Sequence, residues 1–214
     1  MSKPVLFILV PLIHNKKRGV MEERWKSYSS QAIIEEVNRV KDMHYQARTS
    51  FIALSNRKDG KRVITQIPTN LKSNKVKLTF EFEHPIDEET RKEINELARF
   101  MNQNVIIRLA SILDYYGIAK GEKTLHKELK GYDHLWVLIK LRQKYAHSNG
   151  KYNPSSKHGK DNRRLMHFMI EKYNLNRDPS EQTEYPLLKR QVIGTMILGI
   201  KQYVEAFYRM HGKE

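Results

Sequence analysis

The chain has 214 residues and no cysteine, with 39 Lys plus Arg against 24 Asp plus Glu, a formal net charge of +15. This length allows one sizeable core or two small ones, and we expect one body with two sub-regions. Without cysteine there is no disulfide framework, no thiolate metal site and no cysteine nucleophile, and a cytoplasmic protein is expected.

A positive field of this size draws polyanions, nucleic acid first and anionic membrane second. The apolar run 5–13 is too short to span a bilayer, so no membrane partner is expected. It also makes a poor signal peptide, because Lys3 is the only charge ahead of it and Asn15-Lys16-Lys17-Arg18 stands where a cleavage site belongs. A buried strand is expected there.

Over 21–47, Trp25, Tyr28, Ala32, Ile33, Val37 and Val40 recur at helical spacing among charged residues, which predicts one long amphipathic helix. Strand signals follow. Residues 51–54, Phe-Ile-Ala-Leu, precede the turn signal Asn56-Arg57-Lys58-Asp59-Gly60, and 63–67 follow it, the pattern of a hairpin. Val76, Leu78, Phe80 and Phe82 alternate with polar residues, which predicts a strand with one buried face. Residues 1–85 thus read as an α+β portion, a long helix plus a small antiparallel sheet, whose role is not legible.

From residue 86 the pattern is helical. Asp87-Glu88-Glu89 places negative charge where the helix dipole favours it, and Ile94, Leu97, Met101, Val105, Leu109 and Ile112 run along one face as far as Tyr116-Gly117. A short segment over 125–129 leads to Asp133, a good cap for the helix carrying Leu135, Val137, Leu138 and Leu141. Ser148-Asn149-Gly150 should stop that helix. Further helices are expected over 162–173 and 186–211, separated by polar loops. The fold class expected is mainly α, with a bundle of four or five helices over 86–214 behind the α+β portion.

Between Lys140 and Arg164 the basic residues are Lys140, Arg142, Lys144, Lys151, Lys157, Lys160, Arg163 and Arg164, against the single acid Asp161. The positive field is therefore concentrated at one helix end and its loop, the footprint of phosphate contacts. Tyr145 and Tyr152 lie within it, and their rings are expected to stack on unpaired bases. A plain solvated basic loop is the alternative reading.

Within this patch stand Arg142 and His147. Five residues apart on an unbroken helix they are about 140° out of phase, so they converge only if the helix stops near His147. RNA carries its own nucleophile in the 2′-hydroxyl. Its cleavage needs a proton acceptor, a proton donor and positive charge on the phosphate, and an imidazole with an ordinary pKa of about 6.5 can play either proton role. A guanidinium fork matches phosphate oxygens.

Arg142, four residues and His147 at the end of a bundle helix, in the run Lys-Tyr-Ala-His-Ser-Asn-Gly, resemble the HEPN (higher eukaryote and prokaryote nucleotide-binding) domain family over residues 87–214. The resemblance implies an all-helical fold and a homodimer that joins two such motifs in one composite site. It also implies endoribonuclease activity without metal or cofactor. Family members occur in toxin–antitoxin and other anti-phage systems, so an antitoxin protein is a partner that the resemblance implies beside RNA. Gln143 stands where active members usually carry Asn, Asp or His. It keeps the hydrogen-bonding group on a longer arm, and its implied role is to orient.

Other sites are set aside. Gly159-Lys160 has Pro154 where a phosphate-cradling loop needs its first glycine and Asp161 where it needs a hydroxyl. No paired-histidine spacing suits zinc, and His126, His134, His158 and His167 read as surface or structural. Asp114-Tyr115-Tyr116 reads as helix-end packing or as an aromatic contact near the site. One of Asn102 and Asn104 bonds the Arg142 region or faces solvent. Two competing functions remain, a catalytically inactive HEPN-like module that binds RNA or protein, and a helical scaffold that assembles through its C-terminal helix.

Overall fold

The computed structural model describes residues 24–55, 63–68, 75–80, 87–148, 150–187 and 189–213. After a 3-10 turn at Arg24–Ser27 come helix α1 (Ser30–Ser55), strands β1 (Val63–Pro68) and β2 (Lys75–Phe80), and then α2 (Glu88–Tyr115). The chain continues through a 3-10 turn at Glu122–Thr124 into α3 (Tyr132–Ser148) and α4 (Gly159–Lys172). A π-helical segment, Lys189–Gly194, leads into α5 (Thr195–Met210).

The α+β expectation is overturned. Residues 51–54, expected as the first strand of a hairpin, continue α1 to Ser55. A four-residue apolar run has no period that separates strand from buried helix, and here the preceding helix extends through it. What strand there is among the described residues is a two-stranded antiparallel ribbon, with Val63 opposite Phe80 and Pro68 opposite Lys75. It forms no sheet layer, and the body is mainly helical, compatible with a helical bundle. The strand expected over 5–13, the turn 56–60 and Phe82 lie outside the described residues.

Local signals explain why α2 begins and ends where expected. The Asp87 carboxylate accepts the Thr90 backbone N–H at 2.7 Å, satisfying a donor that the first turn leaves open. That bond holds the Asp87 carboxyl below its usual range. At the far end Gly117 takes φ +77°, and the Gly117 and Ile118 N–H groups return to the Asp114 and Leu113 carbonyls. For α3, in contrast, the expected cap is corrected. The helix already includes Tyr132, and Asp133 lies in its first turn with its carboxylate 2.5 Å from Lys172 Nζ on α4.

The core is built around α3. Leu135, Trp136, Val137, Leu138 and Ile139 are all buried, so this stretch is apolar on every side and must be enclosed. It is enclosed by α2, α4 and α5, which contribute Ile106, Leu109, Leu113, Leu165, Met169, Ile200 and Val204 to the same cluster. Helix α1 adds Ile33 and Val37, packed on α2 and α5, so the residues on either side of position 85 share one core. The Tyr208 hydroxyl on α5 lies 2.8 Å from the Trp25 carbonyl and 3.0 Å from the Tyr28 carbonyl, fastening the 3-10 turn to α5. His44 Nε2 and Asn102 Oδ1, both buried, meet at 2.8 Å, and the Asn102 amide donates to the Leu187 carbonyl. Asn102 therefore ties α1 and α2 to the segment before α5, and it neither faces solvent nor bonds Arg142, the two alternatives weighed for Asn102 and Asn104.

Where α3 starts, α5 approaches backbone to backbone. Gly131 has φ +92°, and a Cβ there would lie 2.1 Å from the Gly199 carbonyl oxygen, while a Cβ on Gly199 would lie 2.1 Å from His134 Cδ2. Gly131→Ala should therefore lower the unfolding free energy by at least about 3 kcal/mol in urea denaturation, and Gly199→Ala by about 1–3 kcal/mol. Wild-type stability in both variants would mean that the helices do not meet this closely.

Buried phenols predict a second behaviour. Burial pushes the Tyr116 hydroxyl up to about 12, with the Glu36 carboxylate adding to it, and burial likewise raises Tyr145 and Tyr173. Because the folded values lie above the unfolded value of about 10, this contribution is complete below that pH and is lost as pH climbs through the folded values. The urea midpoint should hold up to about pH 9.5 and fall beyond about pH 10. Tyr116→Phe should flatten part of that fall.

Candidate nucleic-acid interface

The C-terminal turns of α3 leave the core gradually. Leu141 and Tyr145 are buried, Arg142 is partly exposed, and Gln143, Ala146 and His147 face solvent. The helix stays intact through Ser148. Arg142 and His147 therefore remain about 140° apart around its axis, and the expected convergence within one chain does not occur. Among the described residues no hydrogen bond or ion pair joins them.

The Arg142 guanidinium instead turns to α2, where Nη2 donates to Asp114 Oδ2 at 3.1 Å. Both side chains are about one-third exposed, at 32% and 30%, so water screens the pair and it adds little to stability. Its effect is to fix where the guanidinium points. Asp114 is a residue that sequence reasoning weighed only as part of Asp114-Tyr115-Tyr116. The two tyrosines pack at the helix end. Tyr116 is buried against Tyr28, with ring centroids 5.0 Å apart, and the exposed Tyr115 ring lies 4.5 Å from the Arg24 guanidinium carbon.

The other candidate residues separate into groups. Lys140 is committed to Glu122, with Nζ 2.6 Å from Oε2, and only 18% of its side chain is exposed. The second Glu122 oxygen accepts the Trp136 indole N–H at 2.9 Å. These two bonds hold the Glu122 carboxyl below its usual range. Lys144 is partly buried, and burial lowers its ammonium pKa while Asp161 on α4 works the other way. Lys151 is exposed and sits in an isolated antiparallel bridge with Glu184, whose carboxylate also pairs with Arg99 at 2.6 Å.

Lys157, Lys160, Arg163 and Arg164 are exposed, on the loop before α4 and on its first turns. Arg163 Nη1 donates to the Pro154 carbonyl, which ties the loop to the helix. The Arg164 guanidinium lies over Trp136, 5.6 Å from the ring centroid. The stacking expected of Tyr145 and Tyr152 is corrected by their burial, at 9% and 8% exposure. Tyr152 packs edge-on to Tyr185, and its N–H donates to the Thr183 carbonyl at 2.8 Å. Neither ring is presented to a strand.

One relation in α3 went unread in the sequence. Trp136, Lys140, Gln143 and His147 follow at steps of four, three and four, so they form a single stripe along the helix. The spacing was visible, but Trp136 sits in an apolar run that reads as core. Of the remaining histidines, His134 is partly buried with Nδ1 3.1 Å from the Tyr173 hydroxyl, and burial lowers its pKa. His158 and His167 are exposed, and His126 pairs with Glu128 at 3.4 Å.

Among the described residues no group of three or more His, Asp or Glu is placed to hold a metal ion. Among the same residues no helix is long and apolar enough to cross a membrane. In comparisons with known proteins, the chain matches no family model, no curated protein and no solved structure.

Proposed function

We propose that the protein binds single-stranded RNA at the end of α3 and the start of α4, and cleaves it without a metal ion as a homodimer. The observation that carries this reading is the exposure of His147 and Gln143 at the end of α3, where Lys144 feels Asp161 from a first turn of α4 that also carries exposed Lys160 and Arg163, with Arg142 held at the same helix end by Asp114. The imidazole of His147 accepts the proton of the 2′-hydroxyl, whose oxygen attacks the adjacent phosphorus. The bond to the 5′-oxygen breaks, that oxygen takes a proton from the imidazole of a second copy, and the products are a 2′,3′-cyclic phosphate and a 5′-hydroxyl. Arg142 neutralises the phosphate oxygens.

The separation of Arg142 from His147 supports the dimer in this reading. A guanidinium about 140° away from its own chain's imidazole serves a phosphate beside the imidazole of a second chain. Work as a toxin or anti-phage effector, restrained by an antitoxin protein, belongs to the same proposal and rests on the resemblance of the motif. A second reading, a catalytically inactive HEPN-like module that binds RNA or protein, is favoured by the Asp114 ion pair, which occupies the guanidinium that cleavage would use.

Incubation of the protein with single-stranded RNA in EDTA, followed by analysis of the fragment ends, tests the two. Cyclic phosphate ends are expected from the parent. His147→Ala should lower the rate by about a hundredfold or more, and Arg142→Ala by about a hundredfold. RNA binding that weakens with salt and is followed by no cleavage would select the second reading.

A further inference from the structure

Away from the C-terminal end of α3 lies a cleft of about 490 Å³ between the 3-10 turn Glu122–Thr124, the N-terminal half of α3 and α4. Its walls are aromatic. Tyr132 and Phe168 are partly exposed in it, and the Phe168 ring meets Trp136 at 5.0 Å and 72°. The two acids that line it are each paired with a lysine outside the lining, Glu122 with Lys140 and Asp133 with Lys172. On its rim, Lys123 and Lys127 are exposed and make no ion pair among the described residues, whereas Arg164, also exposed, lies over Trp136 and acts on Glu122 from beyond ion-pair distance. The cleft thus offers flat apolar surface at its walls and, at Lys123 and Lys127, positive charge not taken up by an ion pair, and its volume suits a small molecule.

We propose that this cleft binds an unpaired nucleotide, with the base against Tyr132 and Phe168 and the phosphate on Lys123, Lys127 and Arg164. An aromatic anion satisfies both halves of the cleft, since every base has a face for stacking and every nucleotide carries a charge for the rim. The α3 stripe gives the cleft a direction. Trp136 on its wall and His147 at the helix end lie eleven residues apart on one face, about 16 Å along the axis. A strand with one base in the cleft can therefore reach His147 within a few nucleotides. As part of an RNA path the site rests on the function proposed above. As a nucleotide site it stands without it.

The test uses the full chain and a short fluorescent single-stranded RNA carrying a photoreactive thiouridine. Lys127→Glu and Lys123→Glu, both at exposed positions, should each weaken binding about tenfold, and Phe168→Ala should do so to a similar extent. Lys92→Glu, on the exposed N-terminal half of α2, should leave it unchanged. Irradiation should attach the RNA to the peptide that holds Tyr132 or Phe168. Adenosine and uridine 5′-monophosphates should compete where ribose 5-phosphate does not.

Mononucleotides that bind in a Lys127-dependent way, with no oligonucleotide bound, would assign the cleft to a free nucleotide. Lys127-dependent binding in a protein that cleaves nothing would keep the cleft and remove the ribonuclease reading. Crosslinks elsewhere, with parental affinity in both lysine variants, would overturn the cleft and leave cleavage at His147 untouched. Competition by ribose 5-phosphate or an aspartate-rich peptide as strong as by the nucleotides would also overturn it.

Discussion

The burial of Leu135 to Ile139 on every side of α3 is the constraint on which the rest of the molecule depends. A helix that is polar on one face can lie on a surface. This one cannot, and α2, α4 and α5 must close around it, with α5 near enough at Gly199 to touch the backbone of Gly131. The enclosed middle leaves the two ends of the helix to emerge, the first turn into the cleft and the C-terminal turns to solvent. The C-terminal turns carry Arg142, Gln143 and His147, so the position of the candidate site follows from the packing of a stretch with no chemistry of its own.

Charge is arranged more economically than the net value suggests. Lys140 and Lys172 serve inside the fold, each holding a carboxylate between elements, and Arg142 is oriented by Asp114. The field that a polyanion would meet comes instead from the start of α4 and from Lys123 and Lys127. Of these, Arg164 lies over Trp136, and Lys123 and Lys127 share a cleft with it, so part of this charge gathers at the Trp136 end of the α3 stripe.

Much of the helical order was legible because its signals are local. Asp87 and Gly117 mark the ends of α2 through bonds to their own neighbours, and the apolar period between them needs no tertiary knowledge. Phe51 to Leu54 was misread because four apolar residues carry no period, and the outcome was set by the helix they extend. At the site, residue types were legible and directions were not. Tyr145 and Tyr152 looked like stacking residues by their neighbours in sequence, yet the basic loop folds so that both rings turn inward. The Arg142–Asp114 pair joins positions 28 residues apart, and no spacing rule reaches across two helices and a turn.

The Tyr208 hydroxyl that holds the Trp25 and Tyr28 carbonyls links residues 183 and 180 positions apart. Contacts of such sequence separation close late, because the intervening chain must be ordered before they can form. During synthesis, which proceeds from the N-terminus, the Trp25 ring has no α5 to pack against until nearly all of the described chain has left the ribosome. The first described turn can meet the end of α2 early, through the Trp25 N–H and the Tyr116 carbonyl, but its fastening to α5 is among the last contacts to close.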